Sequence, residues 1–167
     1  MREATVAQSA MRTPGTHQLY TPDQLARRDN TYWTTVQGVL APLQFVVFLI
    51  SLGLVLRYLA TGEGYAIATV SIVLKTLVLY LIMVTGAFWA EVVFGPYLLA
   101  PAFFWEDVFS FLVIALHTAY LIALSTGWLT PMQLMLLTLA AYLAYVINAG
   151  QFLWKLRRAR LQMQTSA

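Results

Sequence analysis

Two adjacent carboxylates and a histidine interrupt an apolar stretch of this sequence, FFWEDVFSFLVIALHTAY at residues 103–120. Glu106, Asp107 and His117 are titratable, and each is costly to place where the surroundings are hydrocarbon. If the stretch is helical, Glu106, Ser110, Val113 and His117 fall within an arc of roughly 60° and form one stripe. Groups of these types can donate a proton, activate water or, for imidazole, bind a metal. The stretch therefore predicts a proton-active site along an apolar helix.

A second polar stripe is predicted near the end of the chain, where Ala144, Asn148, Gln151 and Lys155 recur at i, i+4, i+7 and i+11. Lys75 stands about ten residues into another apolar segment, which is near the middle of a membrane if that segment spans it. A charge at that depth costs at least about 2.5–3.5 kcal/mol. We therefore expect Lys75 to face a helix bundle with a polar interior and to have a partner there.

Several of these groups also have a structural explanation. Asp107, close to a predicted helix start, can cap the helix and interact with its dipole. Lys75 can pair with a carboxylate and hold two helices together, and Asn148 and Gln151 can form hydrogen bonds between helices. Glu106 and His117 are harder to explain in this way, so they are the leading candidates for chemistry.

Composition places both stripes in a membrane protein. Of the 167 residues, 60% are hydrophobic and 10% are charged, which is too apolar for an ordinary soluble domain. The lack of cysteine excludes a thiolate nucleophile and a Cys-ligated metal. Four segments, at residues 36–59, 65–89, 105–125 and 131–155, are each long enough to cross a hydrocarbon core of about 30 Å as an α-helix. The predicted fold class is an all-α integral membrane protein with four transmembrane helices.

Turn and charge signals predict how these helices are connected and oriented. TGEG at 61–64 and STGW at 125–128 are typical of tight turns, so the helices should form two antiparallel hairpins. TPDQ at 21–24 and TPMQ at 130–133 each predict a helix start with a capping box. Lysine and arginine cluster at the two ends of the chain and are absent from both turns, which predicts that both termini are cytoplasmic. Because this clustering is typical of membrane topology, nucleic acid is not expected as a partner.

The predicted organisation is one membrane domain with short tails. Residues 1–19 lack periodicity and are expected to form a flexible N-terminal tail. Residues 20–161 form the four-helix transmembrane domain, and residues 162–167 form a C-terminal tail. The residues alone leave three classes open: an enzyme for a lipophilic substrate, a pigment-binding protein and a small proton-coupled carrier. The carrier is disfavoured because neither an inverted repeat nor paired broken helices are visible.

Four long stretches narrow this choice. They are RRDNTYWTTVQGVLAPLQFVVFLISLGLVLRYLATGEGYA, KTLVLYLIMVTG, APAFFWEDVFSFLVIALHTAYL and AAYLAYVINAGQFLWKLR. The chain from about residue 20 to 161 resembles the 2-vinyl (3-vinyl) bacteriochlorophyllide hydratase family of anoxygenic phototrophic bacteria. The likeness rests on contiguous sequence rather than on a short motif, and it does not include the first 19 residues.

The resemblance implies a hydro-lyase of bacteriochlorophyll a biosynthesis. Such an enzyme adds water across the ring-A 3-vinyl group of chlorophyllide a and leaves a 1-hydroxyethyl group. The implied partners are a chlorophyllide-type tetrapyrrole substrate, membrane lipid and other bacteriochlorophyll-synthesis enzymes. No cofactor is implied, because the magnesium belongs to the substrate. The implied location is the bacterial inner (intracytoplasmic photosynthetic) membrane, as a multi-pass protein.

This chemistry suggests roles for the polar residues. A carboxylic acid in hydrocarbon can stay protonated near neutral pH, so we expect Glu106 to be the general acid, with Asp107 as the second choice. His117 lies about 16 Å further along a helix, too far for it and Glu106 to touch one vinyl group. We expect His117 to ligate the substrate magnesium or orient the macrocycle, with activation of water left open. No metal site is expected in the protein itself. Further substrate contacts are expected from Lys75, Ser110, Asn148 and Gln151.

A rival interpretation is a non-catalytic membrane pigment-binding or pigment-enzyme assembly protein. A histidine in an apolar pocket would be enough for such a protein. The adjacent carboxylates favour the enzyme weakly, because a carrier has no need of a proton donor.

Overall fold

The computed structural model describes residues 20–95 and 104–165, and these are helical apart from short turns. The helices are α1 (Pro22–Asn30), α2 (Tyr32–Thr61), α3 (Tyr65–Phe94), α4 (Phe104–Thr126) and α5 (Pro131–Thr165). The predicted all-α fold class is therefore confirmed for the described part of the chain. The N-terminal tail predicted at 1–19 and most of the loop between the second and third apolar segments lie outside the described residues.

Four helices are long and apolar enough to cross a membrane: α2, α3, α4 and the Pro131–Lys155 part of α5. They extend beyond the predicted apolar segments, since α2 begins at Tyr32 and α3 continues to Phe94. The last helix also continues to Thr165, through most of the stretch expected to be a C-terminal tail. These extensions are mostly polar or aromatic, which a search for apolar segments does not detect.

Both predicted capping boxes are confirmed. The Gln24 side chain accepts a hydrogen bond from the Thr21 backbone N–H, and Thr21 Oγ1 accepts one from the Gln24 N–H. The same reciprocal pair joins Thr130 and Gln133 at the start of α5. These bonds satisfy N–H groups that the first turn of a helix leaves free.

Thr31 and two glycines set the breaks around α2. Thr31 is extended, with φ −91° and ψ 135°, and it ends α1 and caps α2. Gly62 and Gly64 have φ of +74° and +86°, a left-handed conformation that side chains with a Cβ rarely adopt. The chain can therefore leave α2 and enter α3 within three residues.

Polar contacts fix the register between α2 and α3. Gln37 Nε2 donates to Thr85 Oγ1 at 2.8 Å, and Ser51 and Ser71 are joined by a hydroxyl hydrogen bond of 2.7 Å. The later residue of α2 therefore contacts the earlier residue of α3. A hydrogen bond between helices in an apolar medium orients them as well as joining them.

Burial in this fold is arranged as expected for a protein in lipid. Large apolar side chains are exposed along every long helix, including Ile50, Leu74, Leu112 and Leu143. Titratable and polar side chains lie inside instead, among them Lys75 and His117. The main apolar core cluster consists of Phe48, Val55, Ala68, Ile72, Tyr120, Ala123, Leu134, Met135 and Tyr142.

Candidate active site

Lys75 on α3 and His117 on α4 form a fully buried contact between two titratable groups; we call them the buried pair. Lys75 Nζ lies 2.6 Å from His117 Nε2, and their residues are 0% and 1% exposed. His117 Nδ1 lies 2.7 Å from the backbone carbonyl oxygen of Val113. Because a carbonyl can only accept, Nδ1 carries the proton, and the Nε2 lone pair accepts from the Lys75 ammonium. The imidazole is therefore neutral, and any positive charge of the pair rests on the lysine.

Two tyrosine rings of α5 surround this ammonium group. Lys75 Nζ lies 4.4 Å from the ring centre of Tyr145 and 5.1 Å from that of Tyr142. Tyr142 also stacks on the His117 ring, with centroids 6.0 Å apart. An aromatic face attracts a cation, and the attraction is stronger where water is absent. The partner of Lys75 is thus the imidazole of His117, rather than the carboxylate considered from the sequence.

A chain of hydroxyl groups connects the buried pair to α2. Tyr142 Oη lies 2.6 Å from Ser51 Oγ, which lies 2.7 Å from Ser71 Oγ. Ser71 in turn donates to the backbone carbonyl of Ala68. All four long helices therefore contribute to one polar network around Lys75.

Ser51 and Ser71 are not among the site residues predicted from the sequence. A signal for Ser51 is present, because Gln44, Phe48, Ser51 and Val55 repeat at helical spacing and are the buried residues of α2. Serine is common in apolar helices as a small packing residue, so this pattern alone does not single out a site.

Glu106 on α4 and Lys155 on α5 form the second charged contact, which we call the ion pair. Lys155 Nζ lies 2.7 Å from Glu106 Oε2, with 27% of the lysine side chain and 8% of the glutamate side chain exposed. Ser110 Oγ donates to the backbone carbonyl of Glu106 and accepts from Asn148 Nδ2 at 2.8 Å. The two polar stripes predicted on these helices therefore face each other.

Two other predicted residues lie close to these contacts. Asp107 is half-buried in the first turn of α4, directly after Glu106. Gln151 lies one turn before Lys155 on α5, and its side-chain oxygen is buried. Within the described residues, no group of three or more His, Asp or Glu side chains could hold a metal ion.

Six of the seven predicted site residues lie on α4 and α5, and the seventh, Lys75 on α3, contacts His117 of α4. Four apolar helices around a neutral imidazole, an ammonium and a carboxylate define a multi-pass membrane protein with a titratable interior. Such an interior suits proton transfer to a lipophilic molecule.

Comparison with known proteins identifies the family. The family model for 2-vinyl bacteriochlorophyllide hydratase matches residues 20–158, so the chain belongs to that family, as its sequence stretches predict. A 2-vinyl bacteriochlorophyllide hydratase of Cereibacter sphaeroides is 72% identical over 148 residues, covering 89% of this chain and 92% of the relative. One of Rhodobacter capsulatus is 68% identical over 149 residues, covering 89% of this chain and 86% of the relative. No solved structure matches the chain significantly.

Proposed function

We propose that this chain is a hydro-lyase that adds water to the ring-A 3-vinyl group of chlorophyllide a in bacteriochlorophyll biosynthesis. The observation that carries the activity is family membership, since relatives 72% and 68% identical to the chain are hydratases by name. The buried titratable groups supply what that reaction needs. A proton adds to the terminal vinyl carbon, and the cation that forms at the inner carbon is delocalised into the macrocycle. Water then bonds to the inner carbon and passes one proton back to the group that protonated the vinyl carbon, which leaves a 1-hydroxyethyl group.

The buried pair is the proton donor that the geometry supports best. Lys75 Nζ and His117 Nε2 lie 2.6 Å apart, so a proton of the pair can be held by either residue. Both residues are buried from bulk solvent, which strengthens electrostatic effects on a proton in transit. In this mechanism Lys75 donates the proton and His117 holds Lys75 in position.

Glu106 as the general acid stays a prediction. Its contact with Lys155 is that of an ionised carboxylate with an ammonium, and an ionised carboxylate has no proton to give. Glu106 can act as the acid only if this contact opens and the carboxylate takes up a proton. The closed contact therefore favours the buried pair, with Asp107 as a neighbouring carboxylate of unassigned role.

The role of His117 as a ligand to the substrate magnesium also stays a prediction. The nitrogen that would bind the metal, Nε2, is the one that accepts from Lys75. Ligation would require Lys75 to move away. In the proposed mechanism, Ser110, Asn148 and Gln151 bind reactants between the buried pair and the ion pair, and no cofactor is needed.

We further propose the arrangement of this protein in its membrane. The helices form two antiparallel hairpins, and both termini lie in the cytoplasm. Contacts of α2 with α3 and of α4 with α5 that run in opposite chain directions support the hairpins. The lysine and arginine residues at the chain ends support the orientation. The membrane is the bacterial inner membrane, where lipid and other bacteriochlorophyll-synthesis enzymes are the partners.

The test uses membranes that contain the full chain, chlorophyllide a and water labelled with ¹⁸O and deuterium. The expected product carries one labelled oxygen in the hydroxyl group and one deuterium in the new methyl group. A hydroxyl oxygen that comes from dioxygen instead of water would show that the enzyme is an oxygenase. Pigment that binds and is recovered unchanged would show the non-catalytic pigment-binding protein.

A further inference from the structure

Buried amide atoms without a protein partner lie between the buried pair and the ion pair. Gln44 on α2 is 2% exposed, and neither its Oε1 nor its Nε2 has a hydrogen-bond partner among the described residues. The side-chain carbonyl oxygens of Asn148 and Gln151 are buried and also have none. Buried polar atoms of folded proteins are nearly always hydrogen-bonded, often to an internal water. Four such atoms on the two contacting helices α2 and α5 therefore indicate a ligand.

The contacts between α2 and α5 place Gln44 and Asn148 at a similar level of the bundle. Phe48, one turn after Gln44, has its ring centre 4.9 Å from that of Tyr145, which lies one turn before Asn148. The two helices run in opposite directions at this contact, because Ser51 further along α2 meets α5 earlier in the chain. Gln44 lies one turn back along α2 and Asn148 one turn forward along α5, so the two residues lie at about the same level.

The orientation of the Asn148 amide is set by Ser110. The hydroxyl of Ser110 donates to the Glu106 carbonyl, so its oxygen accepts from Asn148 Nδ2. The carbonyl oxygen of Asn148 is then the atom left without a partner. Of the four partnerless atoms, three are carbonyl oxygens, and the fourth is the amide nitrogen of Gln44. This set fits a small molecule that donates hydrogen bonds.

We propose that Gln44, Asn148 and Gln151 bind the water molecule that adds to the substrate. The inference rests on the proposed hydratase function. The macrocycle does not match this set, since its ring nitrogens hold magnesium and its ketone, ester and carboxylate groups are acceptors. A water that donates both hydrogens to these carbonyls keeps its lone pairs, and one of them can form the new C–O bond. The same contacts fix the water against the inner vinyl carbon before the cation forms.

The position of this water decides the fate of the cation. Once the vinyl group has taken a proton, the cation either bonds to water or loses a methyl proton and returns to the vinyl form. Capture leads to the hydroxyethyl product when the added water passes one proton back to the buried pair, which the first step left one proton short. If the water is no longer held, return becomes faster than capture. In deuterated water, return leaves deuterium on the terminal carbon of unreacted substrate.

The variant that tests the site is Gln44→Met, which keeps the length of the side chain and removes its hydrogen-bonding atoms. The measurement is the deuterium content of substrate recovered at low conversion in deuterated water, together with the rate of hydration. We expect hydration to fall by about 10²-fold, a loss typical of a misplaced reactant, while recovered substrate gains deuterium. Gln37→Met is the matched control, because Gln37 lies on the same helix and is bonded to Thr85. It should show neither effect.

Three results would overturn the site. The first is hydration by Gln44→Met at the wild-type rate, and the second is a fall in its hydration with no deuterium gained. The third is a Gln37→Met variant that loses hydration and gains deuterium as expected for Gln44→Met. If Gln44→Met does not fold, Gln151→Met takes its place with the same expected enrichment and the same contrary results. A wild-type protein that forms no hydroxyethyl product would instead overturn the proposed function itself. The two failures are thus distinguished by the wild-type reaction.

Discussion

Lys75 Nζ on α3 lies 2.6 Å from Nε2 of His117 on α4, and the remaining nitrogen of that imidazole donates to the carbonyl of Val113. The pair therefore holds at most one positive charge, because an imidazolium has no lone pair to accept from an ammonium. A single shared proton at the centre of an apolar bundle is a suitable source for protonating a bound vinyl group.

Two substitutions of Lys75 test its charge and its transferable proton separately. Lys75→Met removes both, and Lys75→Arg keeps the charge but holds its proton too tightly to release it. We expect the rate of hydration to fall by roughly 10²–10⁴-fold in both variants, the range for loss of a general acid. Bound pigment, measured by its absorption shift, should remain. An active Lys75→Arg variant would show that charge alone is needed.

His117→Ala removes the group that positions Lys75. We expect turnover to fall while pigment binding survives, because the proposed role of His117 is toward Lys75 and not toward magnesium. Thr118→Val is the matched control, since it removes the neighbouring hydrogen bond between Thr118 and Tyr80, which also joins α4 to α3. If His117→Ala loses the absorption shift of bound pigment before it loses turnover, His117 is the magnesium ligand.

The ion pair can be tested by exchanging its charges. Glu106→Gln leaves Lys155 without this carboxylate, and the double variant Glu106→Lys with Lys155→Glu restores the attraction with the charges reversed. If the pair is structural, the double variant should recover more folded protein and more activity than either single variant. The measurement is turnover at equal protein level. A loss of roughly 10²–10⁴-fold in Glu106→Gln that the exchange does not repair would identify Glu106 as the acid.

Reporter fusions test the proposed orientation. A reporter that is active only outside the cytoplasm should be silent when it is fused after Ala167, because the basic residues near that end favour the cytoplasm. The same reporter inserted after Glu63, in the turn between α2 and α3, should be active. Strong activity from the C-terminal fusion would contradict the orientation.

Much of the helical architecture was predictable because its signals are local. Length and apolarity alone indicate four helices that can span a membrane, and the two capping boxes mark helix starts at Thr21 and Thr130. Periodicity also predicts which residues share a face, and Glu106, Ser110, Val113 and His117 are indeed all buried on α4. By contrast, the sequence signals the start of α1 at Thr21 but not that this helix ends at Asn30 as a separate element outside any apolar segment.

The pairings between helices were decided by the tertiary structure. The sequence determined that Lys75, His117 and Glu106 lie on buried faces, since a helix fixes the direction of each side chain relative to its neighbours in the chain. It did not determine that Lys75 meets His117, that Lys155 meets Glu106, or that Gln44 is left without a protein partner. Those outcomes depend on the rotation and axial offset of each helix against the others. Packing of side chains from all four long helices sets both quantities, and no single segment of the sequence records them.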